Sequence, residues 1–327
     1  MKAAVFLEKE KIELQNDYPK PTPKQNEVLI RVDMCGVCGT DVKNYYHQMY
    51  QTPLIMGHEF AGEIVEVGSE VKNFKAGQKA TGINVLGKDY NDMRRIGILS
   101  NGAFAEYVIV HEDFLFSFPD STSMTVISMV ESYAVAMRGI HWAKIDPQKP
   151  VMIIGAGTIG LAMLDLLRAL HPELKILMIE IHPFLREKAL EYGADSAVAP
   201  QKGKIRKFFK QFGVTPLIFD CAGTQETLKL GTEIIAQGGD IIMVGIPRGQ
   251  ISLSGLIVSL KEVGLRGCIS HDRKDIDHAI DLIIQKKVHP ERLVTHYVPL
   301  KQLAVSIELY KSTEPRKFIK IMVKIDD

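Results

Sequence analysis

At 327 residues the chain is long for a single hydrophobic core, which predicts two domains. Its 40 basic and 39 acidic side chains nearly cancel, which excludes a whole-surface attraction for nucleic acid or an anionic membrane. Cys35, Cys38, Cys221 and Cys268 are too sparse for a disulfide framework, and they fit a reducing compartment. The start "MKAAVFLEKEKIEL" has charges where a signal peptide would have its apolar stretch, and no window of 18 apolar residues exists. The expectation is a soluble, cytoplasmic protein with no nucleic-acid or membrane partner.

Up to about residue 120 the runs "EVLIRVDM", "FAGEIVEVG", "QKATGI" and "AFAEYVIV" are β-prone and divided by turn residues, predicting a barrel-like β region. From about 124 to 268 helix and strand alternate. "ISMVESYAVAMRGIHWAK" reads as a helix, "VMIIGAG" as a strand, "TIGLAMLDLLRAL" as a helix and "KILMIE" as a strand. "PFLREKALEYG" and "QETLKLGTEIIAQ" are helical, with "PLIFDCAG" and "DIIMVGIP" extended. Short apolar strands between amphipathic helices predict a parallel sheet covered on both faces. "KGKIRKFFKQFG" is the most basic stretch, but Ile205, Phe208, Phe209 and Phe212 recur at helical spacing within it. It reads as a surface helix burying one face, not as a nucleic-acid site. After about 269 come a helix, a "HYVPL" connector, another helix and a final strand, "KFIKIMVKI". The reading is an α/β protein in which a domain at 124–268 interrupts a β-rich domain made of 1–123 and 269–327, leaving a cleft between the two.

"VMIIGAGTIGLAMLDLL" holds Gly155, Gly157 and Gly160 in G-x-G-x-x-G register, between an apolar strand and a helix that opens with Thr158 and Ile159. Gly155 permits the tight turn, Gly157 lets the backbone approach a pyrophosphate, and Gly160 lets helix and strand pack closely. The helix N-terminus offers free N–H groups to the phosphates. Glu180 closes the next strand, 20 residues beyond Gly160. A carboxylate there accepts both ribose hydroxyls and repels a 2′-phosphate, so the motif predicts NAD over NADP, a preference that the nearby His182 and Arg186 weaken without reversing.

The pair in "CGVCGTD", Cys35 and Cys38, admits three readings. A dithiol switch is compatible with the turn into a helix after Cys38. A structural zinc knuckle needs a second pair of cysteines, and Cys221 and Cys268 stand alone. A catalytic metal needs three protein ligands and an open position, and Cys38, His58 and Glu59 supply a thiolate, an imidazole and a carboxylate.

"CGVCGTD", "GHEFAGEIVEVG", "NGAFAEYV" and "VMIIGAGTIG", in this order and spacing, resemble the zinc-dependent alcohol dehydrogenases of the medium-chain family, closest to the polyol (sorbitol-type) and threonine dehydrogenase branch. The resemblance covers essentially the whole chain. It implies a GroES-like β-rich catalytic domain plus a Rossmann domain with a doubly wound parallel sheet. It also implies that Cys38 alone of the pair binds metal, with His58, the adjacent Glu59, and Glu131 of "SMVESYAVAM", the last directly or through water. Thr40 matches the hydroxyl that hydrogen-bonds the substrate oxygen and begins a proton relay. Arg186, close after Glu180, is counted with the cofactor residues; by the same resemblance Cys221, Ala222 and Gly223 lie beside the adenosine half or its ribose, and Val244, Gly245, Ile269 and Ser270 by the nicotinamide.

The chain departs from the family pattern in three places. The stretch 82–102, where relatives often carry four cysteines around a structural zinc, has none, so a single catalytic zinc is expected. Lys43 stands where many relatives have a relay histidine. "ES" replaces "EP" after Glu131, and "GCISH" lacks an arginine common in polyol enzymes. The expected activity is reversible hydride transfer between a secondary alcohol and NAD, with zinc as a Lewis acid on the substrate oxygen. A zinc-free reductase of the same superfamily and a non-enzymatic NAD-binding sensor are the alternatives, and both require damage that the motifs do not show. The family's habit implies a homodimer or homotetramer.

Overall fold

The computed structural model describes residues 1–84, 95–247 and 249–325. The chain divides into two units, one of Met1–Glu131, Pro290–Glu314 and Lys320–Asp327, the other of Ser132–His289 and Pro315–Ile319.

The first unit opens with β1 (Ala3–Glu8), β2 (Lys11–Gln15), β3 (Glu27–Gly36), the helix α1 (Gly39–His47), β4 (Leu54–Ile55), β5 (Glu59–Val67) and β6 (Lys79–Gly82). It continues through β7 (Tyr107–His111), β8 (Leu115–Phe118) and α2 (Met124–Ser128), where α3 (Val130–Trp142) follows at once. The stretch read as one helix from "ISMV" onward is therefore two, separated at Met129. In β3 the residues Val28, Leu29, Ile30 and Val32 are all buried, so this strand has protein on both faces. It is the hub of a seven-stranded sheet, pairing antiparallel with β5 and β7. The β3–β5 register sets Cys35 opposite Phe60 and Gly36 opposite Glu59. That register carries the N-terminus of α1 to the start of β5.

The second unit runs β9 (Val151–Ile154), α4 (Thr158–Leu170), β10 (Ile176–Ile179), α5 (Pro183–Glu191), β11 (Ser196–Val198) and α6 (Lys202–Phe212). Then come β12 (Leu217–Asp220), α7 (Gln225–Ile234), β13 (Asp240–Met243), α8 (Gly255–Leu260), β14 (Gly264–Gly267) and α9 (Arg273–Ile284). Its six strands are all parallel in the order β11-β10-β9-β12-β13-β14. The reversal of strand order between β9 and β12 is the switch point at which such sheets bind nucleotides. The helix α6 buries Ile205 and Phe208 against the core cluster of this unit, with Phe209 and Phe212 packed on it, as the spacing predicted.

The chain then returns to the first unit with β15 (Val294–Pro299), α10 (Leu303–Glu308) and β16 (Lys320–Lys324). "HYVPL", read as a connector, belongs largely to β15, which pairs parallel with β16 at the edge of the sheet. Its polar, half-exposed residues lack the alternation that marks a strand in sequence. β16 adds to β3 with Met322 opposite Gly36, and this brings the far end of the chain beside Cys35 and Cys38. Among the described residues no helix is long and apolar enough to cross a membrane.

Candidate active site

Cys38 sits at the N-cap of α1. Its Sγ accepts from the Thr40 N–H at 3.4 Å, and its own N–H donates to Asp41 Oδ2 at 2.9 Å, a reciprocal cap that fixes the thiol at the helix start. Burial pushes the thiol up to about 11; Lys320 pulls it down, Glu131 and Asp41 raise it again, and the Thr40 bond lowers it. A thiol in that state is not a free nucleophile at neutral pH, and a bound cation would make it a ligand thiolate.

Glu59 opens β5 with His58 immediately before it, and they are 2% and 5% exposed. The ligand atoms of Cys38, His58 and Glu59 all lie within 4.8 Å of one another, and they form the one such metal-capable group among the described residues. Gly57 makes the approach possible. Its φ is +94°, and a Cβ there would meet Cys35 Sγ at 2.8 Å and the Phe104 ring at 2.9 Å. Asp41 faces the same centre: Oδ1 accepts from the Gly57 N–H at 3.3 Å and lies 3.8 Å from His58 Nδ1. One carboxylate thus ties the cap of Cys38 to the turn before His58, the kind of outer support that orients metal ligands. The donor set fits zinc: one sulfur, half-buried, with one imidazole nitrogen and a carboxylate oxygen shielded from solvent.

Glu131 is not part of that three-residue group, although it is near enough to Cys38 to raise its thiol. Thr40 is half-buried in the first turn of α1, and Lys43 is half-buried one turn later. Cys35 is fully buried in β3, burial holds its thiol well up, and its Sγ is 3.9 Å from the Gly36 carbonyl. Lys320 went unremarked in sequence. It is fully buried, ion-paired with Glu59, and separated from it by most of the chain. The available signal was a lone lysine inside the otherwise apolar run "FIKIMV".

The glycine turn lies in the second unit. Gly155 has φ +95°, Gly157 is the N-cap of α4 with no side-chain cap, and Gly160 is buried against the Gly155 carbonyl. The first N–H groups of α4, from Thr158 to Gly160, are thereby left for a ligand, while Thr158 Oγ1 donates to the Ile319 carbonyl at 3.2 Å. A Cβ on Gly157 would meet nothing within 4 Å, so the backbone is open to a bound group there.

Glu180 does more than the motif implies. Oε2 accepts from the Ala156 N–H and Oε1 from the His182 N–H, both at 2.8 Å, so the carboxylate clamps the glycine turn to the tip of β10. Arg186 donates to the Glu180 and Ile181 carbonyls at 2.9 and 2.7 Å, and His182 Nδ1 accepts from the Arg316 N–H at 3.3 Å. Arg186 and His182 are therefore both engaged with backbone.

Cys221, Ala222 and Gly223 follow β12, where Asp220 Oδ1 accepts from the Ala222 and Gly223 N–H groups at 3.0 Å each and Oδ2 from Thr227 Oγ1 at 2.9 Å. Val244 and Gly245 N–H both donate to the Asp220 carbonyl, at 2.9 and 2.8 Å. Ile269 and Ser270 link β14 to α9, with Ser270 at φ +52°. The turns after β9, β10, β12, β13 and β14 all stand at the C-terminal edge of one parallel sheet, where such sheets bind ligands.

The family model described as "Alcohol dehydrogenase GroES-like domain" matches residues 24–120, and that described as "Zinc-binding dehydrogenase" matches 158–285. The chain belongs to the zinc-dependent medium-chain alcohol dehydrogenase family. Within it, the chain is 29% identical to a sorbitol dehydrogenase of Halalkalibacterium halodurans, over 92% of this chain and 93% of that protein. It is 25% identical to an L-threonine 3-dehydrogenase of Shewanella baltica, over 98% and 99%. Among solved structures it is similar to 2R,3R-butanediol dehydrogenase from Bacillus subtilis, at 26% identity and TM-score 0.87 over 99% of each chain. A zinc-binding dehydrogenase from Sinorhizobium meliloti bound to NADP aligns at 25% identity and TM-score 0.89, over 99% of this chain and 98% of that one. The fold is that of a GroES-like domain plus a Rossmann-like domain, and the chain is an oxidoreductase of a family that uses zinc and a nicotinamide cofactor.

Proposed function

We propose that the chain is an NAD-dependent dehydrogenase of secondary alcohols, with polyols and related hydroxy compounds as its substrate class. The observation that carries this reading is the convergence of the Cys38, His58 and Glu59 ligand atoms within 4.8 Å. The named activities of the sorbitol and threonine dehydrogenase relatives support it. Cys38 and His58 would hold one zinc with Glu59 beside them, and Glu131 would complete the sphere directly or through water. Zinc at this place supplies Lewis acidity that lowers the pKa of an alcohol hydroxyl.

The chain's own residues do the rest. Asp41 holds the Cys38 cap and the turn before His58. The Thr40 hydroxyl, two residues from Cys38, accepts a hydrogen bond from the substrate and passes its proton toward solvent. The turn at Gly155, Gly157, Thr158, Ile159 and Gly160 binds the pyrophosphate, and Cys221, Ala222, Gly223, Val244, Gly245, Ile269 and Ser270 shape the rest of the cofactor surface. Glu180 accepts from the ribose hydroxyls. Its two backbone bonds hold the carboxylate in place, and the bonds of Arg186 Nη1 and His182 Nδ1 to backbone draw these side chains away from a 2′-phosphate, which supports NAD. A relative bound to NADP makes this a point to test.

We propose a single zinc per chain, a reading supported by the absence of cysteine between 82 and 102, of which 85–94 lie outside the described residues. We also propose a homodimer or homotetramer: β14 is an edge strand with Leu265 exposed, and α8 exposes Leu256 and Leu260. Light scattering reads that directly.

The experiment for the activity is NAD reduction over a panel of polyols, sugar acids and threonine, repeated with NADP. Turnover of a secondary alcohol with NAD favoured supports the reading. Reduction of a quinone or enone without zinc would replace it by the zinc-free alternative.

A further inference from the structure

The helices α3 and α9 share a buried carboxylate. Asp275 is fully buried. It accepts from Arg138 Nη1 at 3.0 Å and the Asp272 N–H at 2.8 Å, and its Oδ1 lies 2.6 Å from His141 Nδ1. The opposite nitrogen of that ring, His141 Nε2, is 2.9 Å from His278 Nδ1, and the two rings stack 5.2 Å apart. Asp272 caps α9 and is also reached by Arg138 at 3.2 Å. Between the end of β14 and this cap lie Cys268, Ile269, Ser270 and the fully buried His271.

We propose that His141 and His278 are positioning residues for the segment Ile269–His271, holding the start of α9 through one proton shared between their facing nitrogens and releasing it when both rings are charged. The proposal rests on the reading of Ile269 and Ser270 as cofactor residues.

The proton count runs from the carboxylate outward. Asp275 is an acceptor, so His141 Nδ1 carries a hydrogen. Burial raises Asp275, but bonds from the Asp272 N–H, His141 and Arg138 outweigh this and hold it below the usual carboxylate range, so it stays charged. In the neutral pair His278 Nδ1 donates to His141 Nε2. With one added proton the donor is His141 Nε2–H, and the contact survives. With two, N–H faces N–H and the contact breaks. The charged groups acting on His278 are His141 from α3, with Asp275 and Asp281 from α9, while Arg138 and the cap residue Asp272 meet Asp275 at the far end of the chain of contacts. Burial and the His141 charge push His278 below the ordinary histidine range, while Asp281 and Asp275 pull the other way. A depressed histidine contributes stability above its ordinary pKa and loses it as pH falls through the folded value, so the pin opens on the acid side.

The test is NADH binding to the purified full chain, followed by nucleotide fluorescence at about pH 8 and about pH 5.5. The wild type is compared with His278→Gln, whose amide donates to His141 Nε2 without titrating in this range. The readout is the loss of affinity between the two pH values within each protein. The proposal predicts a loss roughly tenfold greater in the wild type than in His278→Gln, the effect of about one linked proton over one pH unit. The same loss in both proteins overturns it. If neither binds NADH at the higher pH, the cofactor reading fails, and melting temperature against pH decides the pin itself. An acid-side fall present in the wild type and absent in His278→Gln upholds it, and superimposable curves reject it.

Discussion

Lys320 reaches the carboxylate of Glu59 with both side chains shielded from solvent, at 1% and 2% exposure. The lysine comes from the last strand of the chain and the glutamate from the strand that opens beside the proposed metal ligands. Burial pushes the lysine down, and Cys38, Asp41 and Cys35 pull it back toward its charged form. A buried lysine is costly without a counter-charge, and a buried carboxylate likewise. Each therefore explains the other, and Glu59 has a cationic partner supplied by the chain itself.

Removing that cation takes away the ion-pair partner of the buried Glu59. Lys320→Met should destabilise the chain by about 3–5 kcal/mol, the range for breaking a buried pair from one side. Urea unfolding measures it. Stability within error of wild type would mean that Glu59 does not depend on Lys320. Gly36→Ala offers an independent check, because a Cβ there would meet the Lys320 side chain at 2.6 Å and Glu59 Oε2 at 3.0 Å.

The two cysteines of "CGVCG" should behave oppositely. Cys35→Ser places a hydroxyl in a fully buried site and should cost about 1–3 kcal/mol while zinc content survives. Cys38→Ser should lose zinc and activity together while still binding NADH. Loss of zinc on replacing Cys35 contradicts the assignment of ligand.

Glu180→Ala has two separable effects. The NAD-over-NADP ratio of kcat/KM should fall, because the carboxylate proposed to discriminate against a 2′-phosphate is gone. Binding of both cofactors should weaken, because the Ala156 and His182 N–H groups lose their acceptor. Steady-state kinetics with each nucleotide separates the two. An unchanged ratio would remove Glu180 from specificity.

Acid should loosen the corner around Asp195. Burial raises this carboxyl, but hydrogen bonds from Lys175, the Ile176 N–H and Arg168 outweigh it, so its pKa is lowered on folding. A depressed carboxyl contributes stability above its unfolded pKa and loses it as pH falls through the folded value. Asp195→Asn should therefore cost stability at neutral pH and less in acid. A cost independent of pH would show that the charge contributes nothing.

What was legible in the sequence was what local pattern encodes. The runs "VMII", "ILMI" and "LIFD" announced buried parallel strands, and the spacing of Gly155, Gly157 and Gly160 announced the turn. Cys38, His58 and Glu59 were legible because their chemistry is rare and they sit close in sequence. β14, "GLRG", was not, since two glycines and an arginine at a sheet edge carry no strand signature. Neither was Lys320 as the partner of Glu59, because pairing across the chain is decided by strand order, which local periodicity does not contain. The bonds from Glu180 to the glycine turn were hidden for the same reason: the motif names the carboxylate but not what holds it.

The central claim is one zinc held by Cys38 and His58 with Glu59 beside them, at the service of alcohol oxidation. Elemental analysis of protein expressed with ample metal, run alongside NAD reduction before chelation, after chelation and after zinc is restored, tests it most directly. The account predicts about one zinc per chain, lost with activity and regained with it. NAD-dependent turnover that persists with no bound metal would contradict it.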